Sequence, residues 1–143
     1  MKQHYSVLTY DYTDKSIYSN KNKFYNQNIS LFNVGDYIQS LAAEQYLPYV
    51  SKYIDRDGFV DTNIIMNGWY YIYDGNRFIP ENFNALLLSI YIKNPESVPA
   101  SFLNSIKRLQ PIGWRDIATR NFFQSKGIDA YFSSCLTTTL GRT

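Results

Sequence analysis

Reactive and ligating side chains are scarce in this chain of 143 residues, which has one cysteine, Cys135, and one histidine, His4. A single cysteine excludes an intramolecular disulfide and a multi-cysteine metal site, and it fits a reducing compartment. His4 and Cys135 lie at opposite ends of the sequence, so nothing points to a Cys-His nucleophilic pair, and Cys135 reads as a small buried hydrophobe at a strand end. No cluster of histidine, cysteine and carboxylate has ligand spacing, so neither a metal nor another cofactor is expected. Charge of one sign is also missing: 14 basic against 12 acidic residues give +2, and Lys21/Lys23 and Lys107/Arg108 are the densest basic spots. Counterion-driven binding needs a basic face, so nucleic acid is not an expected partner. No apolar run approaches the ~18 residues that span a bilayer, and Met1-Lys2-Gln3-His4-Tyr5 lacks a signal-peptide pattern, so a cytoplasmic location without a transmembrane segment is expected. Repeats, heptads and low-complexity tails are absent as well.

What is present is a chain with 45% hydrophobic and 17% aromatic residues, 14 of them tyrosine. That is enough to bury one core, and residues 1–143 are read as a single domain. Tyr5 to Tyr10 reads as a strand, and Asp11 to Asn28 is a polar excursion, a hairpin or a loop. Val34 to Leu47 has helical apolar spacing at Ile38, Leu41, Ala42, Tyr46 and Leu47, with Asn33 or Asp36 as cap and Pro48 as stop. Lys52 to Ile54 and Asn63 to Asn67 are short strands, the second closing in a turn at Asn67-Gly68-Trp69. Ala85 to Ile92 is a continuous apolar run, as in a strand buried on both faces of a parallel sheet. Ser101 to Leu109 reads as a helix ending at Pro111. The alternation predicts an α/β fold: a Rossmann-like, doubly wound, mainly parallel sheet.

The segment from Pro111 to Thr137 condenses this pattern. Ile112 to Trp114 is a short strand, and Asp116 can cap a helix carrying Ile117, Phe122 and Phe123 on its apolar positions. Gly127 is placed to end that helix in a left-handed conformation, and Asp129 to Ser133 forms the last strand. Arg115 thus stands beside a helix N-terminus, which gathers free N–H groups and suits phosphate or carboxylate. The alternative is that Arg115 pairs with Asp116 or a neighbouring carboxylate and only holds the turn. Two other polar segments follow strands or the loops after them, Asn33-Val34-Gly35-Asp36 and Asn67-Gly68-Trp69-Tyr70. Strand ends of such a sheet converge on one crevice, so the three segments are expected to line it together. Gly35 would let backbone amides approach an anion, and Asp36 would accept bonds from sugar hydroxyls or move a proton. Structural readings stand beside these: a plain helix cap with a permissive glycine at Gly35-Asp36, and a tight turn with Trp69 on the core at Asn67-Gly68.

Five blocks resemble, in order, the polysaccharide pyruvyl transferase family. They are Asn33-Val34-Gly35-Asp36-Tyr37-Ile38-Gln39-Ser40-Leu41-Ala42-Ala43, Tyr53-Ile54-Asp55-Arg56-Asp57, Met66-Asn67-Gly68-Trp69-Tyr70, Pro111-Ile112-Gly113-x-Arg115-Asp116 and Tyr131-Phe132-Ser133-x-Cys135-Leu136-Thr137. The resemblance implies the N-terminal half of a two-domain enzyme of glycosyltransferase B-like architecture, inactive without its C-terminal domain. Such an enzyme moves pyruvate from phosphoenolpyruvate onto two hydroxyls of a saccharide or lipid-linked saccharide for a surface polysaccharide, in the cytoplasm or at the inner membrane face. It also implies Asp36 and Arg115 as catalytic residues, and Asn33, Gly35, Asn67, Gly68, Trp69, Asp116 and Ser133 around the substrates, without a metal. Trp114, Ser134 and Tyr91 depart from the pattern, standing where cysteine, glycine and histidine are expected. A tyrosine is a poor substitute for a titrating imidazole at neutral pH. The other expectations are an inactive sugar-binding or interaction domain of the same fold and, lower, a nucleotide-sugar glycosyltransferase, because a fold does not fix a function.

Overall fold

The computed structural model describes residues 4–9, 34–55, 62–72 and 84–141. The excursion expected at 11–28, the cap at Asn33 and the Arg56-Asp57 pair lie outside them. Six strands form one sheet: β1 (Tyr5–Thr9), β2 (Lys52–Asp55), β3 (Asn63–Tyr71), β4 (Asn84–Lys93), β5 (Ile112–Trp114) and β6 (Ala130–Phe132). Their order is β2-β1-β3-β4-β5-β6, and each neighbouring pair is parallel. The chain moves outward from β1 to β2, then returns to the other side of β1 and continues to β6. That reversal between β1 and β3 is the switch point of a doubly wound sheet, where a crevice opens at the strand carboxyl ends.

Helices cover both faces. Helix α1 (Val34–Glu44) lies on one face, where Ala42 and Ala43 pack with Val7, Ile65 and Leu136. Helices α2 (Ala100–Lys107) and α3 (Ile117–Ser125) lie on the other, where Phe102, Ile106 and Phe123 join Leu8, Met66, Leu87, Ile90, Ile92 and Trp114. Period-two alternation distributes each strand between the two layers, Val7 going to α1 and Leu8 to α2 and α3. The buried face of α1 is Gln39, Ser40, Ala42 and Ala43, whereas Ile38 and Leu41 remain 37% exposed. Of the expected apolar positions Ala42 and Leu47 do face the core while Ile38, Leu41 and Tyr46 do not, and small residues fill the inward side because the helix backbone approaches β1 and β3 closely. Helix α1 also starts at Val34, so Asp36 sits in its first turn rather than capping it.

Helix α3 follows the sequence reading closely. Asp116 is its N-cap, with Oδ1 accepting from the Thr119 N–H at 2.8 Å, and Gly127 has φ 75° just past its end. Phe123 is fully buried and stacks on Trp114 with centroids 4.0 Å apart and planes 3° apart, while Ile117 is 54% exposed and does not join the core. Gly113 is required by close approach. A Cβ there would lie 2.9 Å from the Ser133 Cβ and 3.0 Å from the Leu88 Cδ1.

The expected turn at Asn67-Gly68 does not form, because β3 runs on to Tyr71. Opposite it, β4 carries a bulge: Met66 pairs with Leu87 and Gly68 with Ile90, so one residue of β3 faces two of β4. Ser89 occupies the bulge at φ 61° and Gly68 has φ 109°. An extra residue shifts the side-chain alternation, so Leu87 and Ile90 share one layer although they are an odd number apart. Without it, Tyr91 would point into the layer of Leu87.

Candidate functional site

Asn67 and Gly68, although inside β3, stand at the level where the neighbouring strands end. Gly68 pairs with Ile90, Ile90 with Trp114, and Trp114 with Phe132. Beyond that level β3 and β4 continue as a two-stranded ledge, with Trp69 beside Tyr91. Asn67 and Tyr91 belong to the face covered by α1, and the residue following β5 is Arg115. Its backbone N–H bonds to the Ile90 carbonyl at 2.8 Å, which continues the β4–β5 pairing one residue past the strand and fixes where its side chain begins.

A hydrogen-bonded chain joins this edge to the first turn of α1. Arg115 Nη1 reaches Gln39 Oε1 at 3.5 Å, and Gln39 Nε2 donates to Asp36 Oδ1 at 3.1 Å. The Gln39 backbone carbonyl accepts from Asn67 Nδ2 at 2.6 Å. Asn67 is fully buried and Gln39 is 4% exposed, so the bond between them forms where water competes little, while those to Asp36 and Arg115 are partly buried. The Arg115 guanidinium also lies 5.2 Å from the centroid of the Tyr91 ring, in cation–π range. Among the described residues no carboxylate forms an ion pair with Arg115. The alternative in which it pairs with Asp116 is not what forms, since Asp116 turns toward Thr119.

The segment after β6 closes the group. Ser133 Oγ accepts from the Ser89 N–H at 3.0 Å and lies 3.2 Å from the Trp114 carbonyl, while Ser89 Oγ accepts from the Leu136 N–H at 2.9 Å. These bonds, with Ser134 at φ 61°, hold Cys135 beside Arg115. Burial pushes the Cys135 thiol up. Bonds from the Thr137 hydroxyl and N–H, with the charge and hydrogen bond of Arg115, outweigh it and hold the thiol below the ordinary cysteine range.

Of the residues singled out from the sequence, Asp36, Asn67 and Arg115 are brought together through Gln39. Trp69 stands on the ledge, 38% exposed. Gly68 sits opposite the bulge, and Gly35 lies one residue before Asp36 on an exposed turn of α1. Ser133 and Asp116 are engaged in holding the backbone, and Asn33 is outside the described residues. Gln39 was not singled out, although its i, i+3 spacing from Asp36 puts both on one side of α1. Cys135 and Thr137 join the group only because the β6 end folds back over β5, which no local pattern announces.

No known family, curated protein or solved structure matches this chain. Among the described residues no group of three or more His, Cys, Asp or Glu could hold a metal ion. None of their helices is long and apolar enough to cross a membrane. A groove of about 510 Å³ lies at the opposite, amino edge of the sheet, between Tyr46, Leu47, Leu86, Leu109 and Pro111. Three of its polar side chains serve the frame: Asn63 Nδ2 donates to the His4 carbonyl at 3.1 Å, Asn84 donates to Asn63, and Gln110 accepts from the Asp129 N–H.

Proposed function

We propose that the carboxyl edge binds phosphoenolpyruvate and a saccharide hydroxyl, and that the chain is the N-terminal domain of a polysaccharide pyruvyl transferase acting with a second domain across this edge. The observation that carries the reading is the Arg115 guanidinium, which has no carboxylate partner among the described residues and is joined to Asp36 through one buried glutamine. A cation so placed suits a carboxylate or phosphate, and an adjoining carboxylate suits a hydroxyl or its proton.

In the proposed reaction the methylene carbon of phosphoenolpyruvate takes a proton, and a sugar hydroxyl bonds to the adjacent carbon while losing its own. A second hydroxyl then displaces phosphate from that carbon, its proton leaving with the phosphate, and a cyclic ketal remains. Arg115 holds the donor carboxylate or phosphate as charge shifts, Asp36 orients a hydroxyl and takes its proton, and Trp69 offers the wall on which the sugar lies, backed by the buried Asn67 and Gly68. No metal is invoked, and the site belongs on the cytoplasmic side, where phosphoenolpyruvate is made. The test is phosphate release from phosphoenolpyruvate with saccharide acceptors, using the chain together with a complementing second domain. Arg115→Ala is expected to lower the rate by about 10²-fold or more, and unchanged turnover would remove Arg115 from the mechanism.

A second reading is favoured by Tyr91. It occupies the position where the resemblance implies histidine, and it lies against Arg115 instead of offering a titrating base. In that reading the edge binds anionic saccharides without turnover. Arg115-dependent binding of phosphoenolpyruvate with no phosphate release in the complemented protein would select it.

A further inference from the structure

Gln39 is the only described residue with side-chain bonds to both Asp36 and Arg115, and its backbone carbonyl is tied to Asn67 as well. Its amide can satisfy both charged groups in one orientation only: the N–H₂ end must face the carboxylate and the oxygen must face the guanidinium. Electrostatics fixes the choice, because a reversed amide would set oxygen against carboxylate and N–H against guanidinium, and the Gln39 side chain is too buried to turn to water instead. The glutamine thus holds Asp36 and Arg115 in fixed relation while keeping them from pairing directly. A direct Asp36–Arg115 ion pair would neutralise the guanidinium and close it to an anionic ligand.

We propose that Gln39 is a positioning residue that keeps the Arg115 charge open to an anionic ligand, acting as a neutral spacer between guanidinium and carboxylate. The proposal rests on the reading of this edge as an anion site, and it adds what keeps that site from closing on itself. A carboxylate at position 39 would itself pair with Arg115 and occupy the site from within. An apolar residue of similar size would keep the two groups apart but remove both bonds, leaving the guanidinium without its amide partner.

The experiment is an NMR titration of the chain with inorganic phosphate, comparing wild type, Arg115→Ala, Gln39→Glu and Gln39→Met, with thermal unfolding as the check on folding. Phosphate binding that Arg115→Ala abolishes supports the site itself, and its absence in wild type overturns the site reading. Gln39→Glu is expected to bind phosphate about tenfold or more weakly at neutral pH. Binding should recover as the pH falls through the carboxylate range and the new side chain loses its charge, a response that a purely structural role would not give. If Gln39→Glu binds like wild type across that range, or stays weak at every pH while folded, the spacer role is overturned.

A ligand-free measurement separates this proposal from the site reading. Hindered rotation of a held guanidinium splits the Arg115 side-chain N–H signals, and the splitting should persist in wild type and collapse in Gln39→Met. Averaged signals in wild type overturn the proposal even if phosphate binds. If Gln39→Glu does not fold, the Gln39→Met comparison decides alone.

Discussion

At the scale of single residues, the Pro111 to Asp116 signature divides between frame and chemistry. Gly113 is there because Ser133 and Leu88 leave no room for a methyl group, and Ser133 is held by two backbone groups. Gly113→Ala should therefore lower stability by about 1–3 kcal/mol, measured by denaturant unfolding. Trp114 fills the core against Phe123, although its indole N–H has no partner among the described residues. Trp114→Ala is expected to cost about 3–5 kcal/mol, because stacking and burial exceed the cost of one unsatisfied donor. Asp116→Ala removes the α3 cap, and a loss of about 1 kcal/mol in the same assay is expected. Cys135 reports on Arg115. Alkylation of the wild-type thiol should set in at a lower pH than for an ordinary cysteine, and Arg115→Ala should move that midpoint upward. A lowered thiol pKa means that the thiolate favours the fold. This contribution is present above the ordinary thiol value and is lost as the pH falls through the lowered one.

At the scale of elements, the bulge in β4 decides the site. The run Ala85 to Ile92 was legible as a strand, though it is not buried on both faces, since Leu86 is 48% exposed; a continuous apolar run carries no parity, so nothing in it told which residues face which helix. Ser89 resolves that by taking a left-handed conformation, after which Ile90 and Ile92 keep to the core while Tyr91 turns toward Arg115. The serine side chain then holds the Leu136 N–H, tying the bulge to the segment that carries Cys135. Ser89→Ala should free that donor, speeding amide exchange at Leu136 and costing about 1–3 kcal/mol. An unchanged exchange rate would mean that the segment is held by other means. The turn expected at Asn67-Gly68 has the same explanation. The polar pair does mark the carboxyl edge, but β3 crosses that level because β4 extends beside it as a partner.

At the scale of the whole molecule, the two faces of the sheet are unequal among the described residues. The layer under α2 and α3 gathers Leu8, Met66, Leu87, Ile90, Ile92, Phe102, Ile106, Trp114 and Phe123, whereas the layer under α1 is mainly Val7, Ala42, Ala43, Ile65 and Leu136. Less apolar burial means cheaper opening, so amides of α1 should exchange faster than those of the β3–β4 pair in native-state hydrogen exchange. The candidate site lies on the α1 side, where its side chains meet through hydrogen bonds. The sequence by itself determined the alternation of strands and helices, the cap at Asp116 and the terminator at Gly127, because each depends on residues within a few positions of one another. It also marked Asp36, Asn67 and Arg115 as polar residues at strand or helix ends. Only the tertiary structure decided that Gln39 joins them, that α1 buries its small side, and that Tyr91 and Cys135 face the guanidinium. Those outcomes depend on strand register and on a one-residue bulge. Both are set by contacts between segments far apart in the chain, which local periodicity does not encode.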